Sequence, residues 1–186
     1  MHAADLDENL IILMAQGDGD AFTEFYNQTA SIVYGFALSI LRNKQDAEDV
    51  MHDAFIKAYT SAVTYRPMGK PVAWLLTIVK NLCYNRIRSG RIFEDIDDYQ
   101  DAAVSETQDQ DTVTDRAVLQ QALKILDADE RQIVTLYSVS GLKHREIAEI
   151  MEMPMGTVLS KYNRALAKMR KELTGDGDRN RKGGKK

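Results

Sequence analysis

The chain of 186 residues is long enough for one domain or two small ones, and its hydrophobic fraction of 44% is ordinary for a globular protein. Its single cysteine, Cys83, excludes an intramolecular disulfide framework and a multi-cysteine zinc site. The acidic start MHAADLDENL is unlike a signal peptide, and no stretch approaches the roughly 18 apolar residues of a membrane span. We therefore expect a cytoplasmic protein without membrane insertion. The scattered histidines predict no metal site, and nothing predicts a cofactor.

The net charge of −4 is unevenly distributed along the chain. Residues 1–90 carry a net charge of −2, and residues 91–115 carry −8 from nine acidic groups and one basic group. Residues 116–186 carry +6, from 15 basic and nine acidic groups. Charge asymmetry between segments indicates partners better than the overall charge does, so nucleic-acid binding by the C-terminal part is compatible with this composition.

The chain begins with two predicted helices. A short one is expected over residues 4–16, with Gly17 as its stop, and a long one over residues 18–42, capped by Asp18 or Asp20. Apolar residues at helical spacing indicate that one face of the long helix is buried. They are Phe22, Phe25, Tyr26, Val33, Phe36, Ala37 and Ile40.

The stretch QDAEDVMHDAFIKAYTSAV, residues 45–63, has the clearest helical period in the protein. A continuous apolar face runs along it, and a different face is acidic. Acidic groups in the first turn stabilise the positive end of the helix dipole, but Asp49 and Asp53 lie beyond that turn, where capping explains little. The helix is expected to end before Arg66 and Pro67, because the residue before a proline avoids the helical region.

A third long helix is predicted after the loop YRPMGK. Pro71 is well placed as its first residue, and it runs to about Ser89. Its inward-facing residues are predicted to be Leu75, Val79, Leu82 and Cys83. A second face is polar and aromatic, with Lys80 beside it, and comprises Thr77, Asn81, Tyr84, Asn85 and Arg88. Trp74 is expected in the core because its neighbours Val72, Leu75 and Leu76 are apolar.

The segment over residues 91–115 has no persistent helical stripe and few large apolar groups. Such a segment cannot bury enough apolar surface to offset its ordering entropy. We therefore predict an acidic flexible linker between two domains, at 1–90 and 116–174, with a disordered basic tail over 175–186. Because no convincing alternating strand occurs, the predicted fold is all-α, with two small helical domains.

The second domain contains the signature of a helix-turn-helix. Its helices are predicted at about 115–126, 128–138, 143–151 and 154–173. In the last helix a core stripe of Val158, Tyr162, Ala165 and Met169 lies beside a polar and basic face. That face comprises Thr157, Lys161, Arg164, Lys168 and Lys171. A basic face alone is more often only a solvated surface, but the short turn, the start at Pro154 and the +6 charge together favour DNA binding.

These motifs resemble those of a known family. Leu126 to Arg131 and the stretch GLKHREIAEIMEMPMGTVLSKYNRAL resemble region 4 of bacterial RNA polymerase sigma factors, in particular the extracytoplasmic-function (ECF) group. In the first domain, DAEDVMHDAF resembles region 2.2 and AWLLTIVKNLCYNRIR resembles region 2.4. The resemblance covers about residues 20–90 and 115–173. Two motif sets in this order, joined directly by a linker, are typical of the two-domain ECF group.

The resemblance implies a sigma factor that binds core RNA polymerase, recognises a two-part promoter and helps to melt its −10 element. It implies that the helix at 46–62 docks on the clamp helices of the largest polymerase subunit. The contact residues would be Asp46, Glu48, Asp49, His52 and Asp53. The pair His52-Asp53 replaces the Gln-Glu that is usual in the family, so these contacts are expected to differ in detail.

The resemblance also assigns DNA-binding residues. The third long helix and its preceding loop would open and read the −10 element, and the loop would capture an extruded base. The residues expected at the −10 element are Arg66, Lys80, Asn81, Tyr84, Asn85 and Arg88. Those expected at the −35 element are Thr157, Ser160, Lys161, Arg164 and Lys168. Amides can bond base edges, arginine can hold phosphate, and an aromatic ring can stack on an unpaired base.

The sequence departs from the family pattern at several of these positions. Asn85 stands where the family often has Asp, and Lys161 and Leu166 stand where it often has Arg. Leu159 occupies a position that is often basic. Lys161 keeps the charge but loses the bidentate fork of an arginine. The general role is therefore expected to persist, whereas the −35 sequence is not predicted.

Further partners and alternatives follow from the same reading. Family membership implies an anti-sigma factor as a partner, and it implies that the acidic linker threads polymerase channels as an RNA mimic. A plain solubilising tether explains the linker equally well. The alternatives are a stand-alone helix-turn-helix transcription regulator, or an enzyme or helical adaptor with an incidental basic face. No nucleophile–base pair, phosphate loop or metal cluster is visible in the sequence, so we do not expect an enzyme.

Overall fold

The structure, a computed structural model, describes residues 6–90 and 123–174. Within these ranges every regular element is helical, which confirms the predicted all-α fold. The elements are α1 (Asn9–Ala15), α2 (Gly19–Leu41), α3 (Lys44–Ser61), a 3₁₀ turn (Ala62–Thr64), α4 (Pro71–Arg88), α5 (Ala128–Ser138), α6 (His144–Met151) and α7 (Met155–Leu173). The predicted linker, most of the predicted helix over 115–126 and the basic tail lie outside the described residues.

The helix termini in the first part follow local side-chain chemistry. Asp18 caps α2, since its carboxylate accepts hydrogen bonds from the backbone N–H groups of Asp20 and Ala21 at 2.9 and 3.0 Å. The cap of α3 is Asn43, which accepts from the backbone N–H of Asp46 at 3.0 Å. Pro71 occupies the first turn of α4, as predicted. The starts of α2, α3 and α4 lie within one residue of their predicted positions, whereas α1 begins at Asn9 and not at the predicted residue 4.

Helices α2, α3 and α4 pack on one another, and α1 lies against α2, α3 and the 3₁₀ turn. The inner faces follow the predicted stripes, and Phe25, Phe36, Leu75 and Val79 are fully buried. Phe55 of α3 makes edge-to-face contact with Phe25, with ring centroids 6.2 Å apart. This packing leaves the acidic face of α3 and the polar face of α4 on the surface.

Helices α5, α6 and α7 form the second part, in which α6 and α7 are the helix-turn-helix. The turn between them contains Glu152 in a left-handed conformation, with φ of 54°. Pro154, the predicted first residue of this helix, is instead the N-cap of α7, so the helix begins one residue later than predicted. On α7, Val158, Ala165 and Met169 are buried, which confirms the core stripe.

The two parts share one continuous apolar core. Residues Ile147, Ile150 and Met151 of α6 belong to the same buried cluster as the inner residues of α2 and α4. Buried Arg131 of α5 donates from Nε to the backbone carbonyl of Ser39 in α2, at 2.9 Å. None of the helices in the described ranges has the length and apolar composition to cross a membrane. The boundaries proposed for the two domains stay a prediction.

Candidate nucleic-acid interface

The polar face of α4 is exposed to solvent along its length. Its exposed residues are Thr77, Asn81, Tyr84, Asn85 and Arg88. Arg88 donates from Nη2 to Oδ1 of Asn85 at 2.9 Å, so these two side chains hold each other on the surface. Leu75, Val79 and Cys83 anchor the opposite side of α4 in the core. The structure thus brings together on one surface the amide, aromatic and guanidinium groups that the sequence indicated.

A cavity of about 350 Å³ opens beside the loop between the 3₁₀ turn and α4. Tyr65, Arg66 and Met68 of the loop line it together with Trp74 and Thr77 of α4, and Glu149 and Ile150 of α6 complete its wall. The rings of Tyr65 and Trp74 have centroids 4.9 Å apart, and Trp74 also packs against the core, as predicted. Its volume falls within the range of small-ligand pockets, roughly 300–1,000 Å³. The aromatic rings in its wall suit stacking with a planar base.

Lys80 is buried between α4 and α6, with only 7% of its surface exposed. Its Nζ donates to the backbone carbonyl of Ile150 at 2.7 Å and to Oε1 of Glu152 at 2.6 Å. The hydrogen bond from Lys80 lowers the pKa of Glu152. Nearby, Nζ of Lys70 lies 2.7 Å from a carboxylate oxygen of Glu149. In this arrangement the ammonium group of Lys80, which the sequence assigned to −10 DNA, faces the helix-turn-helix.

The acidic face of α3 separates into one buried carboxylate and several exposed groups. Asp46 is only 9% exposed and accepts a hydrogen bond from Nε of Arg86 at 2.6 Å. Nη2 of the same arginine donates to Oδ2 of Asp49 at 2.7 Å. Partial burial alone would lower the pKa of Arg86, but the hydrogen bonds to Asp49 and Asp46 raise it. The exposed members of this face are Glu48, Asp49, His52 and Asp53.

The basic face of α7 is partly neutralised within the protein. Lys161 Nζ lies 2.9 Å from Oδ2 of Asp129, and this hydrogen bond raises the pKa of Lys161. Lys168 Nζ lies 2.6 Å from Oε2 of Glu130, a carboxylate that is itself buried. Among the described residues Arg164 has no ion-pair partner, and it is exposed together with Thr157 and Ser160. The predicted −35 residues therefore share one face but differ in their availability to DNA.

Several residues that shape these surfaces were not predicted. Arg86 could have been suspected, because it follows Val79 by seven positions and extends the buried stripe of α4 with a charged group. The spacing of Asp127 and Glu130 is the signal of a capping box, which the structure contains at the start of α5. No local pattern marks the acidic residues that bond to distant partners, because only the fold brings them together. They are Glu8, Asp129, Glu149 and Glu152.

Comparison with known proteins connects these surfaces to a family. The family models described as "Sigma-70 region 2" and "Sigma-70, region 4" match residues 25–92 and 116–169. The ECF RNA polymerase sigma factor SigW of Bacillus subtilis (strain 168) is 30% identical over 176 residues, which cover 85% of this chain and 91% of SigW. The ECF RNA polymerase sigma factor SigK of Mycolicibacterium vanbaalenii is 28% identical over 178 residues, which cover 91% of this chain and 90% of SigK.

Two solved structures are similar over most of the chain. CnrH in complex with the cytosolic domain of CnrY has a TM-score of 0.66 at 22% identity, covering 91% of this chain and 98% of CnrH. The sigma factor RpoE in complex with the anti-sigma factor NepR, from Bartonella quintana, has a TM-score of 0.67 at 27% identity, covering 82% of this chain and 96% of RpoE. The chain belongs to the ECF RNA polymerase sigma factors. Its function is promoter-specific transcription initiation with RNA polymerase, and the stand-alone regulator is not favoured.

Proposed function

We propose that three surfaces of the protein have separate roles in transcription initiation. The exposed acidic face of α3 binds core RNA polymerase, with Asp46 held beneath it by Arg86. The polar face of α4 and the loop before it open and read the −10 element, and the basic face of α7 binds the −35 duplex. The observation that carries this assignment is the position of the exposed α4 face directly beside the aromatic-walled cavity.

The α4 face has the chemistry for an unpaired strand. The amides of Asn81 and Asn85 can bond base edges, and the guanidinium of Arg88 can hold phosphate. A base that leaves the duplex can enter the cavity and stack on Tyr65 or Trp74, and such stacking contributes roughly 1–3 kcal/mol per base. The free energy that offsets melting thus comes from binding the open strand. The chain itself needs no cofactor and catalyses no reaction.

The closed contact between α4 and α6 must separate before both promoter elements are bound. Elements centred about 25 base pairs apart lie roughly 85 Å apart on B-form DNA. In contrast, Lys80 and Glu152 are 2.6 Å apart, so α4 and the helix-turn-helix are in direct contact. Separation would also release Lys80 for the −10 strand, as the sequence predicted. It would take Glu149 and Ile150 away from the cavity, which leaves the wall formed by Tyr65 and Trp74 open to a base. The proposed domains, 1–90 and 116–174, are the units that would move apart.

Partners of the protein follow from the family and the neighbouring structures. RpoE of Bartonella quintana is held by the anti-sigma factor NepR. An anti-sigma factor is the corresponding partner for this chain, beside core RNA polymerase and promoter DNA, and the cytoplasm is where these partners meet it. The exposed α3 and α4 faces are the surfaces that such a partner would cover.

The assignment of the α4 face is tested with Asn81→Ala in reconstituted polymerase. The wild-type chain is expected to co-sediment with core polymerase at near-equal stoichiometry and to open a promoter mapped from its transcripts. Asn81→Ala is expected to retain polymerase binding but to lower the open-complex fraction roughly tenfold, since one base contact is lost. Asn27→Ala, on the exposed side of α2, is the matched control. Equal opening by all three proteins would refute the assignment.

A further inference from the structure

The loop beside the cavity is fastened to the N-terminal helix by one carboxylate. Oε1 of Glu8 accepts hydrogen bonds from the hydroxyl of Tyr65 and from the backbone N–H groups of Met68 and Gly69, the latter two at 2.8 and 2.9 Å. These hydrogen bonds, led by the one from Tyr65, lower the pKa of Glu8. In the part of the chain that the structure describes, no other side chain bonds to the backbone of residues 65–70.

The fold places Glu8 there for a definite reason. Ile11 and Met14 bury α1 in the core at 0% and 2% exposure, which fixes the start of the helix next to the loop. Glu8 stands at the N-cap position of α1 yet makes no capping hydrogen bond, because its side chain reaches the loop instead. Gly69 has φ of 68°, and this turn directs two successive N–H groups at one oxygen, as in an anion-binding nest.

We propose that Glu8 is a positioning residue for base capture. It holds the loop and the ring of Tyr65 in the conformation that receives an extruded base, so the loop is ordered before DNA arrives. A loop without this anchor would have to be ordered during binding, which weakens capture. This inference rests on the proposed function of the loop and cavity. Direct contact between Glu8 and DNA is disfavoured, since a carboxylate repels phosphate.

The test compares base capture by wild type, Glu8→Ala and Glu8→Gln in complex with core polymerase. Open-complex formation is measured on a mapped promoter and on copies with an abasic site at each non-template position of the −10 element. For the wild type, one position should matter most, because its base enters the cavity. Glu8→Ala is expected to lower opening roughly tenfold on the intact promoter and much less on that abasic copy. Glu8→Gln, which keeps an acceptor oxygen, should recover part of the loss.

Two further variants separate positioning from folding. Asp7→Asn removes one negative charge next door, at a carboxylate that bonds only within its own turn, and should behave as wild type. Tyr65→Phe removes a donor to Glu8 without altering α1, and should also weaken the dependence on the captured base. An equal fold-loss for Glu8→Ala on intact and abasic promoters would assign Glu8 a purely structural role and overturn the proposal.

The outcomes also separate this inference from the function on which it rests. If the wild type opens the promoter with no preference at any −10 position, the loop does not capture a base, and both proposals fail. If the wild type shows such a preference and Glu8→Ala retains it in full, only the role of Glu8 fails. Thermal unfolding of each variant accompanies the assay. If Glu8→Ala does not fold, the result for Tyr65→Phe decides, and an unchanged base preference there overturns the proposal.

Discussion

Cys83 lies on the buried stripe of α4, where burial raises the pKa of its thiol from 9.0 to about 12. Because the thiolate is the reactive form and burial disfavours it, Cys83 should react very slowly with thiol reagents at pH 8. We expect fast labelling only after unfolding in guanidinium. Equal labelling rates for the folded and unfolded chain would show that α4 does not pack as described.

Because the pKa of Cys83 is higher in the folded than in the unfolded state, the free energy of unfolding depends on pH. The thiol is neutral in the folded state and ionises more readily in the unfolded state. Its contribution to the free energy of unfolding is therefore complete below pH 9. The contribution is lost as pH rises from 9 towards 12. Denaturant titrations at these pH values check it, and Cys83→Ser would not serve as a control because it buries a hydroxyl.

At this scale the sequence predicted the apolar residues of α4 but not the partners of its charged ones. Leu75, Val79 and Cys83 follow from helical spacing alone, which is a local property. Lys80 was expected on the surface, yet its acceptors at Ile150 and Glu152 are 70 and 72 residues away along the chain. A pattern within one helix cannot indicate which helix will cover it.

At the scale of the elements, the basic face of α7 contains cations that are paired within the protein and others that have no ion pair in the described part of the chain. Arg164 is free of ion pairs among the described residues, whereas Lys161 is paired with Asp129. We therefore expect Arg164→Ala to reduce the salt dependence of duplex binding by about one phosphate contact, and Lys161→Ala to reduce it by less. Asp129→Asn should raise duplex affinity, because it releases Lys161. Fluorescence anisotropy at several salt concentrations measures all three.

A control for this series keeps the charge change and removes the contact with the basic face. Glu172→Gln neutralises an exposed acidic residue near the end of α7, far along the helix from Lys161. It should change duplex binding less than Asp129→Asn does. If the two variants gain affinity equally, the pairing of Lys161 does not limit DNA binding, and only net charge matters.

Element boundaries in the second part were predictable because each has a local cause. The predicted range 128–138 coincides with α5, whose start is a capping box, and α6 and α7 begin within one residue of prediction. Pro154 was expected to be the first residue of α7 and is instead its N-cap. Glu152 just before it is in the left-handed conformation, so the chain must change direction before α7 begins. The neutralisation of α7 by α5 was not predictable, because it depends on how two helices pack.

On the scale of the whole molecule, one core joins parts that promoter binding would separate. The contact combines apolar packing of α6 on α4 with two ion pairs, Lys70–Glu149 and Lys80–Glu152. The predicted linker, residues 91–115, has 25 residues and can span at most roughly 85–90 Å, which is about the distance between the promoter elements. In the closed form Lys80, which we propose for the −10 strand, is covered by the helix-turn-helix, and the linker is long enough to allow the open form.

The strength of the contact between α4 and the helix-turn-helix is tested by neutralising the two acidic residues of its ion pairs. Glu149→Gln with Glu152→Gln removes both ion pairs and leaves the core of each part intact, so the protein should spend more time open. We expect a larger radius of gyration in solution scattering and a roughly threefold to tenfold gain in affinity for a −10 single strand. Glu172→Lys adds the same two units of charge away from the contact and is the matched control. An equal gain in both variants would mean that charge, and not release of α4 from α6, governs strand binding.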